Sequence, residues 1–211
     1  MIPDILRFWG SSPSSSAGLI WIAYIFFPTY LLGSIPSGIL ITKTLGLGNL
    51  KKIGSGNIGA TNVLRTGNKM AAIATLLLDM SKGIIAVIVT EQYLGITASH
   101  FAALGVFCGH LFSVFLSFKG GKGVATFFGI LLVLDFFLCT LVCISWLIIA
   151  WWSKYSSVAS LISSALSVII VVILEDFSFM WLILVMVLLI WLRHTGNIAK
   201  LFAGKESKIK L

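Results

Sequence analysis

Long apolar stretches separated by short polar or charged segments account for nearly the whole chain. Because a bilayer core about 30 Å thick takes roughly 17–25 mainly apolar residues per helix, the pattern predicts seven spans, near 19–42, 70–90, 98–117, 122–138, 139–153, 157–174 and 177–192. Between the fourth and fifth only Asp135 interrupts the run, so one bent or re-entrant segment competes there with two separate spans. The expected fold is an all-α integral membrane protein, a single bundle of seven transmembrane helices. It divides into a short outer tail (1–18), the bundle (19–198) and a basic tail (199–211), without the inverted repeat that many transporters carry.

Composition agrees: 58% of residues are hydrophobic, 10% are charged and the mean hydropathy is +1.06, values that exclude an ordinary soluble domain. Charge then orients the bundle. With the N-terminus outside and the C-terminus cytoplasmic, Lys43, Lys51, Lys52, Arg65, Lys69, Lys119, Lys122, Lys154, Arg193, Lys200, Lys205, Lys208 and Lys210 fall inside, and of the 15 cations only Arg7 and Lys82 do not. Asp4, Glu91, Asp135, Glu175 and Asp176 fall outside. That asymmetry is what the positive-inside rule expects, and merging the fourth and fifth spans would send the later basic segments outward. The net charge of +8 therefore reads as orientation plus anion binding, not as nucleic-acid binding. Residues 1–18 precede a span too long for a signal-peptide core and are expected to stay as an uncleaved outer tail. Cys108, Cys139 and Cys143 have neither zinc-ligand spacing nor an even number for pairing, and read as small apolar residues.

The same topology carries every glycine-rich or serine-rich cluster to the inner face. GSGNIGATNVLR (54–65) joins the first two spans, FKGGKG (118–123) the third and fourth, and SKYSSVAS (153–160) the fifth and sixth, while RHTGNIAK (193–200) follows the seventh. In the first, Gly54, Gly56 and Gly59 relax the backbone, Ser55, Asn57, Thr61 and Asn62 offer donors and acceptors, and Arg65 is suited to clamp a phosphate or carboxylate in two-pronged fashion. A re-entrant turn satisfying its own backbone is the plainer alternative. FKGGKG is neither a Walker loop nor a dinucleotide turn, but Gly120 and Gly121 between Lys119 and Lys122 suit a nest of N–H groups flanked by two point charges. A mere basic anchor would not need the glycines. Ser157 and Ser160 stand at the start of the sixth helix, where the dipole favours an anion, and His194 with Asn197 shares a face at the inner end of the last. His100 reads as structural, His110 stays undecided, and Asp79 with Lys82 at i, i+3 reads equally as a functional pair or a packing device.

Taken in order, YLLGSIPSG (30–38), KKIGSGNIGATNVLR (51–65), LLLDMSKG (76–83), GHLFSVFLSFKGGKGVAT (109–126), SSVASL (156–161) and RHTGNI (193–198) resemble the bacterial acyl-phosphate:glycerol-3-phosphate acyltransferases, the PlsY family. The resemblance implies transfer of a fatty acyl group from acyl phosphate to the first hydroxyl of glycerol 3-phosphate at the inner membrane, giving lysophosphatidic acid without acyl-CoA, metal or cofactor, by a monomer working among membrane lipid. It further implies that Ser55, Arg65, Lys119 or Lys122, Ser157, His194 and Asn197 position glycerol 3-phosphate, and that Asn57, Ala60, Thr61, Asn62 and Gly121 cradle the acyl phosphate. No histidine is followed five residues later by aspartate, so the base of the His-x4-Asp acyltransferases is absent and the resemblance favours the substrate's own phosphate. Asn49, Ser156 and Gly196 stand where the family usually has Asp, Val and Glu, and the segment 1–18 is longer than usual. A transporter of organic phosphates is the alternative, disfavoured because few polar residues beyond Asp79, Lys82 and His100 line the outer half.

Overall fold

A computed structural model of the chain describes residues 15–174 and 177–209. The outer charges Asp4, Arg7, Glu175 and Asp176, most of the expected outer tail, and Lys210 lie outside the described residues. All regular structure among the described residues is helical. The α-helices are α1 (Ser15–Ser34), α2 (Ser37–Thr44), α3 (Ala60–Leu64), α4 (Lys69–Leu94), α5 (Ile96–Leu111), α6 (Val124–Leu134), α7 (Phe136–Ser153), α8 (Ser156–Leu174), α9 (Met180–Arg193) and α10 (Thr195–Phe202). Five segments are long and apolar enough to cross a membrane: Gly18–Thr44, Lys69–Leu94, Ile96–Leu116, Phe136–Ser153 and Ser156–Leu174. A sixth arises if α9 and α10, bent by 53° at His194, count as one broken span.

The expected boundary between spans 122–138 and 139–153 is displaced. The chain breaks at Asp135 itself, because the Asp135 carboxylate caps α7 by accepting from the Leu138 N–H at 2.9 Å. This leaves α6 with 11 residues, about 16 Å of helix, too short to cross the hydrocarbon core alone. The first predicted span is also broken, at Ile35 and Pro36, since proline lacks the N–H that a continuous helix would use. Lys82 resolves one consequence of that break: its buried ammonium donates to the Ile35 carbonyl and pairs with Asp79 Oδ1 at 2.6 Å. The Asp79/Lys82 pair thus ties α4 to the α1–α2 junction.

Glycine sets how closely the helices approach. Gly105 and Gly109 lie one turn apart on α5, where an added Cβ would strike the α1 backbone at Phe26 and Tyr30, and a Cβ on Gly33 of α1 would strike Val106. This is the small-residue interface by which membrane helices pack without a hydrophobic driving force. The pairing is fixed by the Tyr30 hydroxyl donating to the Phe112 carbonyl at 2.6 Å and the Ser113 hydroxyl to Ser34 at 2.5 Å. Gly83 and Gly129 give the same closeness between α4 and α6. Phe107, Phe127, Leu131, Ile183 and Met186 fill the centre, and His100 packs edge-on against Phe179 and Trp181.

Replacing Gly109 by Leu is expected to force α1 from α5 and to cost about 1–3 kcal/mol by overpacking. Thermal unfolding in detergent is the check: an unchanged midpoint would show that this contact does not hold the pair together.

Candidate active site

At one end of the bundle the segments 45–68, 117–123, 154–157 and 194–209 converge on a cavity of about 590 Å³, within the usual range of small-molecule sites. Asn62, at the third position of α3, organises the first segment. Its Oδ1 accepts from the Ser55 backbone N–H at 3.2 Å and from the Ser55 hydroxyl at 3.5 Å, while its Nδ2 donates to the Leu50 and Asn57 carbonyls at 3.0 and 2.7 Å. The carboxamide is thus committed to the loop and brings Ser55 and Asn57 to the cavity wall. Gly54 makes this possible: its φ of +51° is left-handed, and a Cβ there would lie 2.7 Å from Asn62 Oδ1 and collide with the Arg65 side chain.

Arg65 leaves α3 toward the cavity. One terminal nitrogen donates to the Ser207 carbonyl at 3.0 Å, and its buried Nε has no hydrogen-bond partner among the described residues. A buried guanidinium N–H without an acceptor is costly, and here Arg65 lines the polar end of the cavity with Ser55, Lys122 and Asn197. Lys122 comes in from the second loop, its ammonium donating to Asn197 Oδ1. Asn197 Nδ2 and the Ser157 hydroxyl both donate to Glu206 Oε1, at 2.6 and 2.8 Å. His194 caps the bend, with Nδ1 2.8 Å from the Ile190 carbonyl. A carbonyl only accepts, so Nδ1 carries the proton and Nε2 is left as the nitrogen open to a ligand. Ser160 donates to the Ser156 carbonyl and accepts from the Trp146 indole, and Thr61 meets the Ser156 hydroxyl at 3.2 Å, a bond that valine at 156 would not make.

The second loop differs from expectation. Gly120 and Gly121 do not offer an N–H nest: their N–H groups donate to the carbonyls of Leu111 and His110, and their own carbonyls accept from Arg193. The physical reason is the ragged end of α5, whose unpaired carbonyls need donors. Lys119 is exposed and does not line the cavity, so of the two candidate lysines the structure brings only Lys122 to the other groups. What the loop does deliver is Gly123, at φ +85° and packed too closely on Phe107 and Leu111 for a side chain, which starts α6 with its N-terminus at the cavity. The N-terminus of α8 lies there too, and both present unpaired N–H groups and positive dipole ends.

The remaining wall is apolar. Ile73, Leu76 and Met80 of α4, Phe128 of α6 and Trp146 and Leu147 of α7 extend the cavity away from the cations. Ile73, Leu76 and Leu147 are also substantially exposed on the outer surface, so the apolar arm opens sideways between α4 and α7. Glu206 is the site residue that the sequence reading missed. Its signal was present: it is the lone acid in the segments assigned to the inner side. Among the described residues no cluster of three or more His, Cys, Asp or Glu is arranged to hold a metal.

A helical membrane protein whose polar site passes into a lateral apolar opening is equipped to join a phosphate-bearing headgroup to a chain from the bilayer. The family model for glycerol-3-phosphate acyltransferase matches residues 23–204, and the chain belongs to that family. It is 47% identical over 197 residues to a glycerol-3-phosphate acyltransferase of Cereibacter sphaeroides, covering 93% of this chain and 94% of that protein. With the Sinorhizobium medicae enzyme of the same name it shares 45% identity over 206 residues, 98% of each. Among solved structures, the glycerol 3-phosphate form of PlsY, an integral membrane glycerol 3-phosphate acyltransferase, superposes with a TM-score of 0.84 at 33% identity, over 90% of this chain and 96% of that one. The lysophosphatidic acid form gives 0.81 at 31% identity, over 90% and 95%.

Burial pushes the Lys122 ammonium from 10.5 down to about 8; Glu206 opposes the shift, whereas Lys200, Arg193 and Arg65 add to it. A lysine binds an anion in its protonated form, so its contribution is present below this pKa and lost above it. Turnover per unit of glycerol 3-phosphate, kcat/KM, is therefore expected to fall on the alkaline side of about pH 8. In Lys122→Arg, whose charge persists, that limb should vanish. A limb that survives unchanged in Lys122→Arg would assign it to another group.

Proposed function

We propose that the protein transfers a fatty acyl group from acyl phosphate to the sn-1 hydroxyl of glycerol 3-phosphate, yielding lysophosphatidic acid and inorganic phosphate. The observation that carries this reading is the continuity of one cavity from Arg65 and Lys122 to the lateral opening between α4 and α7. Both reactants bear phosphate, and only one has a chain that belongs in lipid. The likeness to the glycerol 3-phosphate and lysophosphatidic acid forms of PlsY supports glycerol 3-phosphate as the acceptor and lysophosphatidic acid as the product.

Arg65, Lys122, Ser157 and Asn197 hold the glycerol-bound phosphate, with Ser55 and His194 Nε2 orienting the glycerol hydroxyls. The acyl phosphate lies against Asn57, Ala60 and Thr61, its phosphate near the N-terminus of α6 and its chain along Leu76 and Met80. Asn62 acts by holding the loop. The hydroxyl oxygen adds to the acyl carbonyl, the bond from that carbon to the phosphate oxygen breaks, and an ester forms. The hydroxyl proton leaves on a phosphate oxygen, so that no protein base is required. An acyl phosphate is already activated, and the protein's work is alignment and neutralisation of charge.

The reading extends to the membrane. Charge asymmetry supports an outer N-terminus, a cytoplasmic C-terminus and a site facing the cytoplasm of a bacterial inner membrane. On that orientation α6 is a short seventh member of the bundle, entered from the inner side through the loop 117–123. The same reading has the enzyme act as a monomer.

Purified protein given glycerol 3-phosphate is expected to form lysophosphatidic acid with acyl phosphate, undiminished by EDTA, and none with acyl-CoA. Use of acyl-CoA, or loss of activity to chelator, would overturn the mechanism. Arg65→Ala is expected to lower kcat/KM for glycerol 3-phosphate by roughly 10- to 100-fold, the equivalent of a lost charge-assisted hydrogen bond of about 1.5–3 kcal/mol. Unchanged kinetics would remove Arg65 from the site.

A further inference from the structure

The C-terminal segment that the sequence marks only as a basic tail is strapped across the cavity. It is anchored on both sides of Glu206. Lys205 N–H donates to the Lys200 carbonyl at 2.7 Å, Ser207 takes the Arg65 guanidinium, and Ile209 N–H donates to Lys154 at 2.8 Å. The Ile209 side chain is buried against Ala150 and Ala159, and Lys208 lies 5.9 Å over the Tyr155 ring. These contacts hold the segment to the α7–α8 turn and to the end of α10.

Glu206 enters the cavity between them, and among the described residues its carboxylate accepts from two neutral donors, Ser157 and Asn197, through the single oxygen Oε1. An ionised carboxylate only accepts, so Asn197 must turn its Nδ2 toward Glu206 and its Oδ1 toward Lys122, and Lys122 is held by that Oδ1. One acceptor therefore sets a chain of orientation: Glu206, Asn197, Lys122. Resting on the assignment of this cavity to glycerol 3-phosphate, we propose that Glu206 is a positioning residue, which fixes Ser157 and Asn197, and through Asn197 also Lys122, for the substrate phosphate. The strap 203–209 is thereby part of the active site. The carboxylate also raises the Lys122 pKa against the lowering effect of burial. Glutamine at 206 would remove that charge and could donate, leaving Asn197 free to flip its NH2 toward the ammonium.

The test uses the full chain in detergent and compares Glu206→Gln and Glu206→Asp with wild type. Glu206→Gln should raise KM for glycerol 3-phosphate about tenfold, the loss of one hydrogen bond to a charged group, with KM for acyl phosphate moved by less than about twofold. It should also shift the alkaline limb of kcat/KM to lower pH, and adding Lys122→Arg should abolish the shifted limb. Glu206→Asp, with its charge kept but its reach shortened, should raise KM while leaving the limb in place. A fall in KM for glycerol 3-phosphate in Glu206→Gln would show instead that the carboxylate competes with the substrate. An equal loss toward both substrates with the limb unmoved would reduce Glu206 to a structural contact, and either result overturns the proposal. If Arg65→Ala spares glycerol 3-phosphate kinetics, the site assignment itself fails; if Arg65→Ala impairs them and neither Glu206 variant does, only this inference fails.

Discussion

The site hangs on one buried carboxamide. Non-helical backbone next to a membrane must find partners for its N–H and C=O groups within the protein, and the glycine-rich segment before α3 has little secondary structure to supply them. Asn62 answers with all its polar atoms, joining Leu50, Ser55 and Asn57 to the first turn of a five-residue helix. Arg65 follows on the same helix, so the geometry of the loop and the aim of the guanidinium are set together. The second loop is braced in a parallel way, by the end of α5 from below and by Arg193, which also lies 5.5 Å over Phe112, from the side. Because Arg193 directly precedes His194, and Asn197, which holds Lys122, follows one turn later, the brace couples the last helices to Lys122.

The short helix α6 turns these loops into a site that can serve a lipid. Its length of 11 residues means that one end must lie within the bundle, and glycine contacts with α4 bring it close enough to place that N-terminus beside Arg65 and Lys122. Above it, α4 and α7 are parted by an apolar channel open to the side. The charged end thus meets the apolar end within one cavity, as a reaction between a soluble phosphate and a membrane-borne acyl group requires.

Much of this was legible in the sequence, for physical reasons that also mark where reading stopped. Apolar runs and cation placement reveal spans because the bilayer penalises every exception, and the polar motifs stood out because glycine and arginine have no reason to sit together in a simple turn. What sequence could not supply were decisions made by tertiary contact. Lys119 and Lys122 are indistinguishable by spacing, yet one is exposed and the other is half-buried and bonded to Asn197. The Gly120 and Gly121 N–H groups were expected for a ligand but are taken by carbonyls at the end of α5, which no local pattern announces. Asp135 was seen as an interruption, but its capping bond to Leu138, which moves the boundary, depends on helix geometry. Glu206 lay in a segment whose lysines suggested only a tail, and its role appears when Ile209 is found buried beneath α7 and α8.

The central claim, that one cavity receives phosphate at its cationic end and an acyl chain through its lateral arm, is tested most directly by photocrosslinking. A non-hydrolysable acyl-phosphate analogue with a photoreactive group in mid-chain would be bound to the purified protein and its adducts mapped by mass spectrometry. Adducts on Leu76, Met80 and Leu147, weakened in Lys122→Ala, are the predicted result. Adducts in the shallow apolar groove formed by Ile169, Leu184 and Leu188, indifferent to Lys122, would contradict it.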